Sequence, residues 1–134
     1  MYAVSREWID RLKKVFEELG ISYEIEEAVR IHINDMIVQI SEGNEGEMNV
    51  SISVALPSSE VSVDDVSKYA RDIEKAFNLA ARLNRGELLY ELDTSLPSYP
   101  TLYITRVYRD KDALVNDLIN ALRSVVHGST VSSH

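Results

Sequence analysis

No cysteine occurs in the 134 residues. Disulfides, thiolate nucleophiles and cysteine-held zinc are thereby excluded, together with most thiol redox chemistry. The chain also has no apolar run approaching the roughly 20 residues that cross a bilayer. Its opening, Met1-Tyr2-Ala3-Val4-Ser5-Arg6-Glu7-Trp8, turns charged at once and has no apolar centre of a signal peptide, so a cytoplasmic protein is expected. Basic clusters are scarce too, Lys13-Lys14 being the one adjacent basic pair. With 22 acidic residues against 14 Lys and Arg, the net charge of −8 repels phosphate backbones and anionic membrane surfaces. Neither nucleic acid nor a membrane is expected as a partner.

What remains suits one globular domain. Apolar residues make up 45% and charged residues 27%, which sets the chain far from disordered compositions. A chain of this length buries about two-thirds of its unfolded surface around one core. No repeat or linker divides it. A single domain over residues 1–127 is expected, with a small polar tail at 128–134.

A first helix is signalled by Ser5 as N-cap and by Trp8, Ile9, Leu12, Val15, Phe16 and Leu19 at helical spacing, with Gly20 as the stop. Ile21, Tyr23 and Ile25 then alternate with polar residues, as a short strand or an extended lead-in. Val29, Ile31 and Ile33 alternate again, and so do Met36, Val38 and Ile40 beyond Asn34-Asp35. A two-residue loop pairs Ile33 with Met36, Ile31 with Val38 and Val29 with Ile40, which puts all six apolar side chains on one face. After a polar loop, Met48, Val50, Ile52, Val54 and Leu56 alternate without a miss up to Pro57.

The second helix opens at Ser62, with Asp65 as an approximate capping box, and closes near Arg85-Gly86. Its apolar arc spans about 160°, against the about 100° that one sheet requires. Leu88, Tyr90 and Leu92 form the next strand, residues 94–100 a loop, and residues 101–109 a strand whose inward side is ambiguous. Asp110 caps a third helix, again with a broad arc, carrying Leu114, Val115, Leu118, Ile119, Leu122, Val125 and Val126. The expected fold is α+β: a five-stranded antiparallel sheet with three helices, in the order α-β-β-β-α-β-β-α.

Candidate chemistry is sparse. His32 points away from the predicted core face, with Glu24, Glu26 and Glu27 within cross-strand reach, but no motif joins them to a nucleophile. A solvent-facing strand histidine is the plainer reading. His127 suits a helix C-terminus, and His134 falls in the tail. Glu42, Asn44, Glu45 and Glu47 lack the alternating Asp/Asn pattern of a calcium loop, and Gly43-Asn44-Glu45-Gly46 matches no phosphate fingerprint. Ser58, Ser59, Ser129, Ser132 and Ser133 sit in no nucleophile elbow. No metal and no cofactor is expected. Tyr90, Tyr99, Tyr103 and Tyr108, with Arg106 and Arg109, combine aromatics and arginine as base-stacking sheets do. In so acidic a chain they suit a core or a protein interface better.

The passage Leu79-Ala80-Ala81-Arg82-Leu83-Asn84-Arg85-Gly86-Glu87-Leu88 resembles the end of the second helix and the entry to the fourth strand in type III secretion chaperones and their YbjN-like relatives. Element order and acidity over residues 5–126 resemble them as well. The resemblance is one of topology and charge, without a signature motif, so no functional residue is carried over. It implies a compact homodimer that binds another polypeptide and catalyses nothing. The 21–27 stretch departs from that pattern, either adding an element or lengthening the first strand.

Two functions follow as expectations. One is a non-enzymatic, chaperone-like dimer, its interface along the edge of the second helix marked by Tyr69, Ala76 and Leu83, seven residues apart. The other is a small-molecule-binding regulator, or an enzyme without a recognisable motif, using a pocket between sheet and helices.

Overall fold

The computed structural model describes residues 7–58 and 61–131. The first helix, α1 (Glu7–Leu19), buries Trp8, Ile9, Leu12, Val15 and Phe16, the stripe read from the spacing; its expected cap, Ser5, lies outside the described residues. Gly20 ends the helix with φ +69°. Its N–H bonds the Glu17 carbonyl at 3.3 Å while the next N–H, of Ile21, bonds the Phe16 carbonyl at 2.8 Å. This paired closure satisfies two orphan carbonyls and draws Ile21 into the core beneath α1.

Ile21 is thereby taken out of the strand alternation, and β1 (Ser22–Ile25) is only four residues long. It is nevertheless a strand of its own. The Glu26 N–H bonds the Ala28 carbonyl at 3.1 Å, the chain reverses, and Ile25 stands opposite Val29 of β2 (Val29–Ile33). The sheet therefore has six strands, not the expected five, in the order β1-β2-β3-β4-β6-β5. The remaining elements are β3 (Met36–Glu42), β4 (Met48–Ala55), α2 (Val63–Arg82), β5 (Glu87–Asp93), β6 (Thr101–Tyr108) and α3 (Lys111–Val131). All neighbouring strands are antiparallel.

The hairpin register is the one the apolar matching demands: Ile33 opposite Met36, Ile31 opposite Val38, Val29 opposite Ile40. Asn34 supplies the left-handed turn residue, at φ +56°. β4 buries Met48, Val50, Ile52 and Val54 on the same face. Ile52 stands opposite both Val38 and Ile104, which resolves the ambiguous side of β6: Ile104 and Tyr108 face the core, Tyr103 and Val107 the other side.

All three helices cover one face of this sheet. α2 lies over β4 and β6, α1 beside β1, and α3 between the two helices, touching both. That position accounts for the broad arc of α3, since Leu114, Val115, Leu118, Ala121 and Leu122 meet helix neighbours as well as the sheet. The Asp110 side chain caps α3, its Oδ1 accepting the Asp112 N–H at 3.0 Å. The helix runs on to Val131, past the expected end of the domain at residue 127, so His127 lies within it, one turn before its end. His134, Ser132 and Ser133 lie outside the described residues, as does Ser59.

One polar knot ties the α2–β5 corner to α3. The Arg106 guanidinium reaches through from β6, Nε donating to the Ala80 carbonyl at 2.9 Å and Nη1 to the Gly86 carbonyl at 2.8 Å. It thereby caps the end of α2. The ring of Tyr108 rests on Gly86 so closely that a Cβ there would lie 2.6 Å from its Cε1. The Tyr108 hydroxyl donates to Asp117 Oδ2 at 2.6 Å, and Arg85 grips the same carboxylate from outside. Hydrogen bonds from Arg85 hold the Asp117 pKa below its ordinary value, Tyr108 adding to the effect, while burial and then Asp117 raise that of Tyr108.

The Asp117 shift has a sign that can be tested. A carboxylate depressed in the folded state contributes stability that is fully present above its unfolded pKa of about 3.9. That contribution is lost as pH falls through the lower folded value. Asp117→Asn is therefore expected to unfold at lower urea than the parent at neutral pH, with the gap closing under acid. Urea midpoints across a pH series measure it, and a pH-independent gap would show that the carboxylate charge is not what holds the corner.

Candidate docking surface

The described residues concentrate their exposed large apolar side chains in one region. Val63, Val66 and Phe77 lie on α2, Leu89, Tyr90 and Leu92 on β5, and Leu96 and Tyr99 in the loop that follows. No exposed large apolar side chain falls on α1, on α3 up to Val126 or on the first four strands among those residues. Chance scatter would distribute such residues singly over the surface.

α2 carries two apolar faces because its sequence overlays two spacings. Ala76, Leu79, Ala80 and Leu83 cluster at its C-terminal end and are buried against the sheet and α3. Val63, Val66, Ala70, Ile73 and Phe77 follow one another at steps of three and four, a single seam along the helix. Val63, Val66, Ala70 and Phe77 on this seam are exposed, while Ile73 packs partly against the core. Ser62 begins the helix, but its hydroxyl donates to Asp65 Oδ2 at 3.0 Å and makes no cap hydrogen bond. Asp64 and Asp65 in the first turn complement the positive end of the helix dipole instead.

The expected interface residues are separated by this arrangement. Ala76 and Leu83 are wholly inside the protein's own core and offer nothing to a partner. Tyr69 is half-buried and lines a cavity. The surplus arc is real, but its free edge is the opposite one, marked by Val66 and Phe77. Sequence spacing locates both edges of such an arc and does not tell which edge the sheet takes.

β5 is an edge strand, paired only with β6. Its register with β6 puts Leu88, Tyr90 and Leu92 on the helix side, opposite Arg106, Ile104 and Leu102. Glu87, Leu89, Glu91 and Asp93 lie on the open side. Tyr90 and Leu92 project beyond the cover of α2, and the Phe77 ring leans on Tyr90 with centroids 6.0 Å apart. Asp93 accepts hydrogen bonds from the Ser95 hydroxyl at 2.7 Å and the Ser95 N–H at 3.0 Å, which start the loop and lower its pKa. That loop presents Leu96 and Tyr99 next to the strand's end.

The other candidates fare differently. The tyrosine–arginine set does not share a surface: Tyr108 and Arg106 face the core, Tyr103 the open side, while Tyr90 and Tyr99 are exposed at the edge and Arg109 follows β6. Stacked bases need one continuous face, which these residues do not form. His32 Nε2 meets Glu24 Oε1 at 2.9 Å on the open side, and this bond lowers the Glu24 pKa. The neighbouring groove is lined by Glu24, Glu26, Glu27, Ala28, Arg30 and Gln39 at the rim of the sheet. Between the sheet and α2 lies a cavity of about 480 Å³ lined by Asp35, Ala55, Val61, Asp65, Lys68, Tyr69 and Asp72. Within it Lys68 pairs with Asp35 at 2.9 Å, and Asp65 accepts from the Ser62 hydroxyl at its rim. Burial, then the nearby Asp35, raises the Asp72 pKa. Asn44–Gly46 is a single 3-10 turn closed by the Glu47 N–H on the Asn44 carbonyl, with the Gly43 N–H returning to the Glu47 carbonyl and Glu45 and Gly46 at positive φ.

No protein-family model matches the chain, and no curated protein matches it. Among solved structures it is similar to the crystal structure of YbjN from E. coli, a proposed transcription regulator, with 16% sequence identity, 92% of each chain covered and a TM-score of 0.41. Among the described residues no helix is long and apolar enough to cross a membrane.

Proposed function

We propose that the chain is a non-catalytic, chaperone-like module that works in the cytoplasm as a homodimer and binds another polypeptide. The observation that carries this reading is the segregation of exposed apolar side chains onto α2, β5 and the loop after it. Contiguous apolar surface of this kind marks sites of association.

The α2 seam supports the dimer. Its exposed flank is Ser67, Glu74, Asn78 and Ala81, small or neutral apart from Glu74, so a second helix can approach closely. Set antiparallel about the Ala70–Ile73 midpoint, Val66 meets Phe77 of the second copy. The same arrangement brings Arg71 beside Glu74 of that copy, twice by symmetry. The cavity beside α2 gives the small-molecule reading less support, because its one lysine, Lys68, is already paired with Asp35 and His32 stands elsewhere.

Light scattering over a concentration series tests the dimer. Wild type is expected at twice the chain mass, and Val66→Glu at the monomer mass. Val66 is 41% exposed, so that variant should keep its fold, with a stability change of about 0.5 kcal/mol or less. A wild-type monomer at every concentration would withdraw the dimer and leave the α2 seam without an assigned partner.

A further inference from the structure

We infer that β5 takes its polypeptide as a seventh strand, and that the strand it selects alternates apolar residues with lysine or arginine. This rests on the reading that the chain binds polypeptide, and names the class of polypeptide and the place where it docks.

The two edges of the sheet differ in kind. β1 is four residues long, the shortness by which natural sheets blunt an edge. β5 is seven residues long and pairs with β6 in an unbroken register from Glu87 opposite Val107 to Asp93 opposite Thr101. It has no proline, no lysine and no bulge, the other devices that protect an edge. Every second residue of such a strand turns its backbone N–H and C=O outward, ready to continue the ladder.

The side chains then select the newcomer. Residues directly opposite one another in a ladder share a face. An added strand would set one row of side chains beside Tyr90 and Leu92, with Phe77 behind them, and this row must be apolar. Its other row would stand beside Glu87, Glu91 and Asp93, with Leu89 between the first two. Positive charge satisfies that row.

The same pattern argues against a second copy of β5 as the occupant. Keeping both helix layers on one side of a continuous sheet restricts a two-fold pair to a few registers. Centred on Tyr90, Glu87 meets Asp93 of the second copy, twice. Centred on Leu89, Glu87 meets Glu91, twice; centred on Glu91, that residue meets itself. Each register opposes like charges, which destabilises cross-strand pairs. The net charge of −8 adds to the preference for a basic partner.

Three labelled peptides matched to β5 in length separate the possibilities: valine alternating with lysine, valine alternating with glutamate, and the valine–lysine composition in two blocks. Fluorescence anisotropy against the full chain is expected to favour the alternating valine–lysine peptide over each of the others by roughly tenfold, as two or three favourable cross-strand pairs would give. Glu87→Lys/Glu91→Lys, changed at exposed positions, should reverse the lysine–glutamate preference. Hydrogen exchange should slow at β5 amides when peptide is bound. Equal binding of alternating and blocked valine–lysine peptides, or protection located on α2 instead, would overturn the strand-addition inference and leave polypeptide binding standing. Failure of all three peptides to bind would remove both.

Discussion

Ile52→Asp is expected to leave little folded protein at room temperature. Ile52 is fully buried at the middle of β4, opposite Val38 on one side and Ile104 on the other, both also fully buried. Aspartate at that point loses the burial of the isoleucine side chain and carries a carboxylate with no polar partner in reach. The combined cost is about 4 kcal/mol or more, most of the stability of a small domain. Ser51→Asp is the matched control. Ser51 is the neighbouring residue on the open side, opposite Gln39 and Thr105, where water still reaches. Its change is expected at about 1 kcal/mol or less. Urea unfolding followed by circular dichroism compares the two, and similar midpoints would mean that the helix-covered side of the sheet had been misassigned.

Leu83→Glu is the second large effect, and here the expectation from spacing is reversed. Taken as the outer edge of the α2 stripe, Leu83 predicts a folded monomer when charged. The structure places it wholly inside the core, at the end of α2, where the Arg106 guanidinium already holds the Ala80 carbonyl. A glutamate there has no route to water and displaces a packed side chain. The loss is again about 4 kcal/mol or more. Val66→Glu, on the free edge, should instead yield the folded monomer. Thermal melts and light scattering on this pair of variants decide which edge is which. A well-folded Leu83→Glu monomer would restore the original assignment and overturn the burial described above.

The sequence was most legible where one face of an element is buried and its neighbour is local. The β2–β3 register follows from six alternating apolar residues about Asn34-Asp35, because a slip of one residue would turn all six into solvent. The α1 stripe and its Gly20 stop were readable for the same reason, all their determinants lying within four or five positions. Legibility failed at Ile21, which looks like the first residue of an alternating strand. Its burial is set by the closure of α1 two residues earlier, which leaves β1 short but separate.

The candidate site was half legible. That α2 bears more apolar arc than one sheet can use is visible from spacing alone, and so is the alternation of Leu88, Tyr90 and Leu92 along β5. The role of Arg106 was not visible. The tyrosine–arginine set suits a core or a protein interface in so acidic a chain, but spacing does not show that Arg106 caps α2 from a strand 26 positions away. Nothing near it in sequence announces that partner.

Composition and periodicity by themselves determined that this chain is an α+β domain without thiol chemistry, with a helix at each end and one between the strands, because those properties depend on residue type and on neighbours within a turn or a hairpin. Tertiary structure alone decided that β5 ends up at the edge while β6 pairs with β4, that Leu83 turns inward while Val66 and Phe77 turn outward, and that α3 uses its whole arc by lying between the other two helices. Each of these depends on which distant surface arrives first against a given face. An apolar stripe states how much surface must be covered; only the packed chain determines what covers it, and on β5 and the outer seam of α2 no part of the described chain does.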